Sequence, residues 1–466
     1  VPSTLNQQSE ISNQQFRHGL LHLADLSANI DLRMKNGSQV IVRPARNVRG
    51  SVQLPGDKSI SHRYAMLSGI AEGPSRLENY STGADCASTL ACMRSLGVKW
   101  GRKDGVIEVQ GSGLALTAPG EPLDCGNSGS TMRMLSGIVA GQKFTSEMIG
   151  DESLSRRPMA RIIKPLEAMG AEIVSQEEKP PLRITGGALK AIDYQMPVAS
   201  AQVKSCLLFA GLFAEGETRI EEPLRTRDHG EVALRAFGAK VNRKSSGAGN
   251  EVSIRGGQRL RGIEARVPGD LSSAAFFLCA AALFPDSQLI IPNLLMNPTR
   301  ARLLDILMQM GLRISVTQLD EVHGEMVGSL QVEGGKLRGA SIAGADTAAL
   351  IDEIPVLAAI APYTEQGIEV RDAKELRVKE SDRISSMAKN LRLMGAQVEE
   401  HEDGLKIPGG QNLHGAELDS FGDHRIAMAF AVAALGAEGE TLIHGAESAA
   451  ISYPAFFQTL EELTER

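Results

Sequence analysis

The chain has 466 residues, and 49 Lys and Arg stand against 56 Asp and Glu, a net charge of −7. At 42% hydrophobic and 23% charged it reads as a globular protein with ample core, long enough for roughly two to four domains. The acidic balance argues against a general nucleic-acid binder, which needs a basic face, and no apolar run reaches transmembrane length.

Residues 1–33 are polar, rich in Gln and Asn at first, and match no secretory pattern. They read as a disordered leader or extension, with Met34 as a plausible natural start. Next comes VIVRPARNVRGSVQLPGDKS at Val40–Ser59, where a strand-like run ends in Pro55-Gly56 and a turn presents Asp57, Lys58 and Ser59, with Arg63 one helical turn on. A lysine, a hydroxyl and an arginine around a helix start read as an anion site, because free N–H groups and the helix dipole both favour negative charge there.

The same plan then recurs. Strand–turn–strand segments begin at Val106, Leu182, Val252, Leu330 and Leu405, four of them around a Gly-Gly pair. Each leads through a small-polar turn into an apolar, Ala-rich helix, such as AAFFLCAAALF from Ala274 or RIAMAFAVAALG from Arg425. These helices are apolar nearly all round and should be buried. A short strand and a second, one-sided helix follow, with a stripe such as Leu303, Leu304, Leu307 and Met308. The second helices stop at Gly97, Gly170, Gly238, Gly311 and Gly395. The sixth unit ends after its second helix at Pro454–Leu463, and its missing strand pair should be Gln39–Leu54. Alternating strands and helices indicate α/β or α+β; the pattern leaves open one ring of six or two groups of three.

Charge gathers at the helix starts. Gly126–Arg133 reads GNSGSTMR, its glycines allowing close backbone approach to a ligand. Ser200-Ala201-Gln202 begins the third buried helix and Gly422-Asp423-His424-Arg425 the sixth. Arg156-Arg157-Pro158, Arg225–His229 and Val378–Arg383 precede second helices. In the last of these Lys379, Glu380 and Arg383 have the spacing of one helical edge. One such motif alone is a cap with a surface ion pair; the recurring set implies small, multiply anionic substrates, since arginine captures carboxylate and phosphate bidentately. Asp352 and Glu353 lie inside an apolar run, either as helix caps or as desolvated acids with a raised pKa. Together Asp352 and Glu380 could supply base and acid. His424 reads equally as a hydrogen-bonded helix-start histidine and as a proton donor. The five cysteines form no CxxC and no metal spacing, which suits reduced thiols in a cytosol-like compartment. Motifs for nicotinamide, flavin, ATP or a metal are absent.

PGDKSISHR, GNSGSTMR, RRP, SAQVK, TRDH, IDEIPVLA, RVKESDR and GDHRIAM resemble, in order, the motifs of the EPSP synthase (3-phosphoshikimate 1-carboxyvinyltransferase) family, across roughly residues 38–466. The resemblance implies an inside-out α/β barrel of two similar domains, each of three βαβαββ-type repeats. One domain would run over 56–267, the other over 34–55 plus 268–466, with two crossovers as hinge and substrates in the cleft. It implies a cytoplasmic monomer that needs no cofactor and moves the enolpyruvyl group of phosphoenolpyruvate to shikimate 3-phosphate. Lys58 would lie between the substrates. Ser59, Arg63, Ser200, Ala201 (by its backbone), Gln202, Arg227 and Lys379 would hold shikimate 3-phosphate. Gly129 (by its backbone), Arg157, Gln202, Arg383, His424 and Arg425 would hold phosphoenolpyruvate. Asp352 would be the base on the 5-hydroxyl and Glu380 the proton donor to the methylene. Two departures stand out: Ile451 sits where many members have lysine, and Ala201 where many have a second serine. Both resemble the more divergent subgroup, in which some members tolerate glyphosate; with Gly129 present, glyphosate should still compete with phosphoenolpyruvate. The sister enzyme acting on UDP-N-acetylglucosamine usually has Lys-Asn at positions 58–59 and a cysteine where this chain has Glu152. The RNA 3′-terminal phosphate cyclase shares the repeat but should be basic. A third alternative, an inactive anion-binding repeat protein, conflicts with the intact acid, base and arginine set.

Overall fold

The computed structural model describes residues 38–247 and 249–466; the expected leader at 1–33 lies outside them. Six helices are wrapped on nearly every side: Lys58–Ile70, Gly129–Ala140, Ala201–Gly211, Leu271–Ala282, Ile354–Ile360 and His424–Leu435. All residues of Leu271–Ala282 and of His424–Leu435 are buried, as apolar, Ala-rich sequences with no polar face require. The second helices carry a one-sided stripe. In Arg302–Gln309 that stripe is Leu303, Leu304, Ile306 and Leu307, while Met308 is 42% exposed. Met308 was expected inward; Leu303, Ile306, Leu307 and Met310 keep the i, i+3, i+4, i+7 spacing that one face demands, and Met308 falls outside it. The helix-ending glycines take the left-handed conformation the sequence implies, with φ from +89° at Gly97 to +108° at Gly170.

Six small sheets surround these helices. The two strands of a strand–turn–strand segment lie in different sheets. Lys179–Thr185 closes one sheet against Thr145–Ile149, and Asp193–Gln195, after the Gly-Gly turn, pairs in parallel with Glu217–Glu222 of the next. The N-terminal strands behave alike. Gln39–Val42 joins Thr441–His444 in the sixth sheet, as expected, but Asn47–Ser51 pairs in parallel with Gln288–Leu295 in the fourth. Glu264–Arg266 in turn pairs with Glu72–Glu78 in the first. Each run of three sheets therefore closes on itself, which resolves the ring question as two groups of three. Two hydrophobic cores follow: one from Ile60 to Val267 joined by Leu295, the other from Val40–Leu54 and Leu271–Leu463.

The chain passes between the cores twice, through matching strings, LPGDKS at Leu54–Ser59 and VPGDLS at Val267–Ser272. The crossovers lie side by side: Asp57 N donates to Pro268 O at 2.7 Å, Asp270 N to Pro55 O at 2.9 Å, and Gly56 bridges Gly269. Both aspartates cap helices. Asp57 accepts from Ile60 N, and Asp270 from Ser272 N, Ser273 N and, across the crossover, Lys58 N. Two amides at this helix start, Lys58 N and Ile60 N, are thus taken by carboxylates, so the positive charge there rests largely on the Lys58 and Arg63 side chains. A Cβ at Gly56 would lie 1.9 Å from Asn79 O and 2.8 Å from Val267. Gly56→Ala should therefore destabilise by about 3 kcal/mol, read as a lower urea midpoint; an unchanged midpoint would show that the crossover yields.

Candidate active site

The helix starts of both halves meet at one place. Asp352 precedes the Ile354–Ile360 helix, with its side chain 19% exposed. Arg227 of the first half lies 2.8 Å from its Oδ2, and Arg383 and Lys379 of the second half lie 3.8 and 3.9 Å from its Oδ1. Arg425 donates to the Asp352 backbone carbonyl. Burial would push this carboxyl up, but Arg227, Arg425, Lys379 and Arg383 hold it well below the usual carboxylate range. A raised pKa was the sequence expectation for a desolvated acid here; the surrounding cations reverse its sign. The neighbouring acid, Glu353, is buried, accepts from Ser272 Oγ and lies 3.8 Å from both Arg300 and Arg425.

Glu380 is gripped in the same way from both halves. Arg383 Nη2 donates to Oε2 at 2.6 Å, Arg157 Nη1 to Oε1 at 3.4 Å, and Ser153 Oγ to its backbone oxygen at 3.3 Å. Burial again raises its pKa, and the charges of Arg383, Arg157 and Lys58 overcome that and leave it well below normal. The helix itself begins at Arg383, where Asp382 accepts from Ser385 N. Lys379 and Glu380 thus precede the helix instead of lining its edge, yet they converge with Arg383 because the chain turns at this cap.

Lys58 Nζ donates to Asp85 Oδ2 at 3.0 Å. Burial disfavours its charge, but Asp85, opposed by Arg425 and aided by Glu380, raises the amine above its usual value. Ser59 is half-buried beside it. Arg63 is buried beneath this turn and donates to Ser59 O and Ser205 Oγ, each at 2.8 Å; desolvation pulls its pKa down to about 10, so it stays charged at neutral pH. Ser200 caps the Ala201–Gly211 helix through Val203 N, which leaves Ala201 in its first turn. Gln202 bridges Arg133, which donates to its Oε1 at 2.9 Å, and Ser130, which accepts from its Nε2 at 2.9 Å. Gly129 opens the second buried helix, and a Cβ there would meet Arg133 at 2.9 Å and Arg157 at 3.4 Å. His424 is buried with neither ring nitrogen bonded to protein. It is therefore not the hydrogen-bonded helix-start histidine of one reading; Asp423 makes the cap instead. Burial and Lys58 push its pKa well below normal, so the ring is neutral.

Of the expected site residues, Arg227, Lys379, Arg383 and Arg425 contact Asp352, and Arg157 and Arg383 contact Glu380; Gly129 adjoins Arg157, Ser59 accepts from Arg63, and Ser200 caps its own helix. Sequence reasoning left out the groups that hold them. Asp423 binds Arg383 at 2.8 and 3.2 Å, Asn127 binds Arg157 at 3.0 Å, and Asp85 and Arg133 hold Lys58 and Gln202. Asp423, Asn127 and Arg133 lie inside the GDHR and GNSGSTMR strings, but nothing in their type set them apart from caps. A surface cleft of about 530 Å³ between Lys389, Leu393, Glu417, Phe421 and His444 includes none of the site residues.

A family model described as EPSP synthase (3-phosphoshikimate 1-carboxyvinyltransferase) matches residues 42–460. The chain belongs to the EPSP synthase family. It is 61% identical over 428 residues to the 3-phosphoshikimate 1-carboxyvinyltransferase of Koribacter versatilis, covering 92% of this chain and 99% of that one. To the protein of the same name from Solibacter usitatus it is 57% identical, covering 91% and 99%. An EPSP synthase structure from Acinetobacter baumannii superposes with a TM-score of 0.81 at 42% identity, covering 92% of this chain and 98% of that one. The EPSP synthase match takes in both cores and every charged motif above. Glu152, the position at which the sister enzyme was expected to carry cysteine, stands exposed and paired with Arg156. Among the described residues, no helix is long and apolar enough to cross a membrane.

Proposed function

We propose that the chain catalyses the reaction of its family: the enolpyruvyl group of phosphoenolpyruvate passes to the 5-hydroxyl of shikimate 3-phosphate, and phosphate leaves. The observation that carries this is the pair of half-buried carboxylates, Asp352 and Glu380, each held ionised by arginines from both halves. Such a site suits two anionic reactants that must be brought together and exchange protons.

The chemistry follows from what the cations do when substrates arrive. Arg157, Arg383 and Arg425 take the phosphate and carboxylate of phosphoenolpyruvate, with Gly129 offering its backbone, Gln202 shared and neutral His424 beside the phosphate. Ser59, Arg63, Ser200, Ala201, Gln202, Arg227 and Lys379 take shikimate 3-phosphate, and Lys58 stands between the two. The cations that hold the two carboxylates down then face substrate anions, and the proton affinity of both carboxyls rises. Asp352 takes the proton of the 5-hydroxyl, and Glu380, protonated from solvent once its proton affinity has risen, delivers that proton to the phosphoenolpyruvate methylene. The oxygen bonds to C2 of the resulting cationic centre, giving a tetrahedral adduct. The Glu380 carboxylate left by the addition then takes a methyl proton back, phosphate departs with the C–O bonding pair, and the double bond is restored. Ile451 offers no cation, so this chain binds phosphoenolpyruvate without the lysine many relatives have there.

We place the domain boundaries at 56–267 and 34–55 plus 268–466, which the two cores and the paired crossovers support. Both halves of the site come from one chain, as a monomer needs. A cytoplasmic setting suits the five cysteines, all free and buried.

Phosphate release from phosphoenolpyruvate tests the reading. It should require shikimate 3-phosphate and fail with UDP-N-acetylglucosamine; equal release with both acceptors would refute the assignment. Glyphosate should compete with phosphoenolpyruvate. Gly129→Ala should weaken glyphosate by about ten-fold or more, because the added methyl displaces Arg133 and Arg157 and narrows the anion site. An inhibition constant indifferent to phosphoenolpyruvate concentration would sink this prediction.

A further inference from the structure

Arg227 is the cation nearest the Asp352 carboxylate, and its segment is tied to both halves of the molecule. One residue before it, Thr226 donates its N–H at 3.2 Å and its hydroxyl at 2.6 Å to Glu222 of the first half. Glu222 is itself buried and ion-paired with buried Lys204 at 3.0 Å. One residue after it, Asp228 Oδ1 accepts from Asn297 Nδ2 at 2.9 Å. His229 Nδ1 then lies 2.7 Å from Glu325 Oε1, whose other oxygen accepts from the same Asn297 amide at 2.8 Å.

Asn297 and Glu325 belong to the second half, and Asp228 and His229 to the first; none of the four is more than 8% exposed. A buried amide donating to two carboxylates makes charge-assisted bonds that water cannot replace. The contact sits beside the crossovers. Leu295, two residues before Asn297, packs into the first core and donates its N–H to Gly269 O at 3.0 Å.

We propose that Asn297 and Glu325 are positioning residues for Arg227: the segment is strung between a post in each half, so the placement of this guanidinium depends on how the halves are set. This rests on the assignment of Arg227 to the shikimate 3-phosphate side. Asn297 and Glu325 bond to Asp228 and His229 rather than to Arg227 itself, so they act through the backbone that carries it.

Steady-state kinetics of Asn297→Asp, Glu325→Ala and Glu325→Gln test the proposal, with Arg227→Ala as reference and thermal unfolding of each. Asn297→Asp keeps the shape but sets a third carboxylate against Asp228 and Glu325. It should raise KM for shikimate 3-phosphate by about ten-fold or more, and KM for phosphoenolpyruvate by no more than about two-fold. Glu325→Ala should do the same. Glu325→Gln should stay near wild type, because its amide can accept from Asn297 and donate to His229. A role in stability alone would lower Tm and the active fraction and leave KM for shikimate 3-phosphate unchanged; that outcome, or an equal rise in both KM values, overturns the proposal. If Asn297→Asp does not fold, the Glu325→Ala and Glu325→Gln pair decides. If Arg227→Ala leaves that KM unchanged, the substrate assignment itself is wrong. If Arg227→Ala raises it and neither Asn297→Asp nor Glu325→Ala does, only the positioning role is.

Discussion

Asp352→Asn is expected to lower kcat by about 10³-fold while KM for shikimate 3-phosphate stays level or falls. Asparagine keeps the shape of the side chain but cannot take the proton of the 5-hydroxyl. The sign of the binding effect follows from the charges. Arg227 at 2.8 Å, Arg383 at 3.8 Å and Lys379 at 3.9 Å lose an anionic partner, so the site becomes more positive and should hold an anion at least as well. The other outcome is a variant that turns over within about ten-fold of wild type but binds shikimate 3-phosphate poorly. That would make Asp352 a binding group and leave the base unassigned.

Glu380→Gln is expected to lower kcat by about 10²- to 10³-fold with phosphoenolpyruvate still bound. Its carboxylate accepts from Arg383 at 2.6 Å and Arg157 at 3.4 Å, both assigned to phosphoenolpyruvate. Neutralising it frees these arginines for the substrate, so affinity should hold or rise while proton delivery to the methylene stops. Rapid-quench sampling checks this: the wild type should accumulate some tetrahedral adduct in the first turnover and the variant almost none. Normal adduct formation with blocked phosphate release would confine Glu380 to the elimination step.

The cations around Asp352 and Glu380 were legible in the sequence because their type is informative. An arginine or lysine at equivalent helix starts, as at Lys58, Arg157, Arg383 and Arg425, has few structural uses in repeat after repeat. The groups that orient them were not. Asp423 and Asp85 look like any acid near a helix start, and only the fold shows that one grips Arg383 and the other Lys58. The titration of Asp352 was misjudged for a related reason: the local run around it is apolar, while the cations that set its charge come from residues 227, 379, 383 and 425. Periodicity gave the buried helices and their glycine stops, which are local properties. It could not say that Asn47–Ser51 pairs with Gln288–Leu295, since strand partners are chosen by packing far along the chain. That pairing closes the second ring of three, as Glu264–Arg266 against Glu72–Glu78 closes the first.

The central claim is that Asp352 and Glu380, brought together between the halves, run a protonation and a deprotonation on one bound pair of substrates. Turnover in deuterium oxide tests it most directly, by mass spectrometry of the enolpyruvyl product. Addition delivers a solvent-derived deuteron to the methylene carbon and elimination removes one of three hydrogens, so the product should carry deuterium in its vinyl group, and Glu380→Gln should slow product and label together by about 10²- to 10³-fold. Product formed at the normal rate without vinyl deuterium would contradict the account, since the double bond would then never have been protonated.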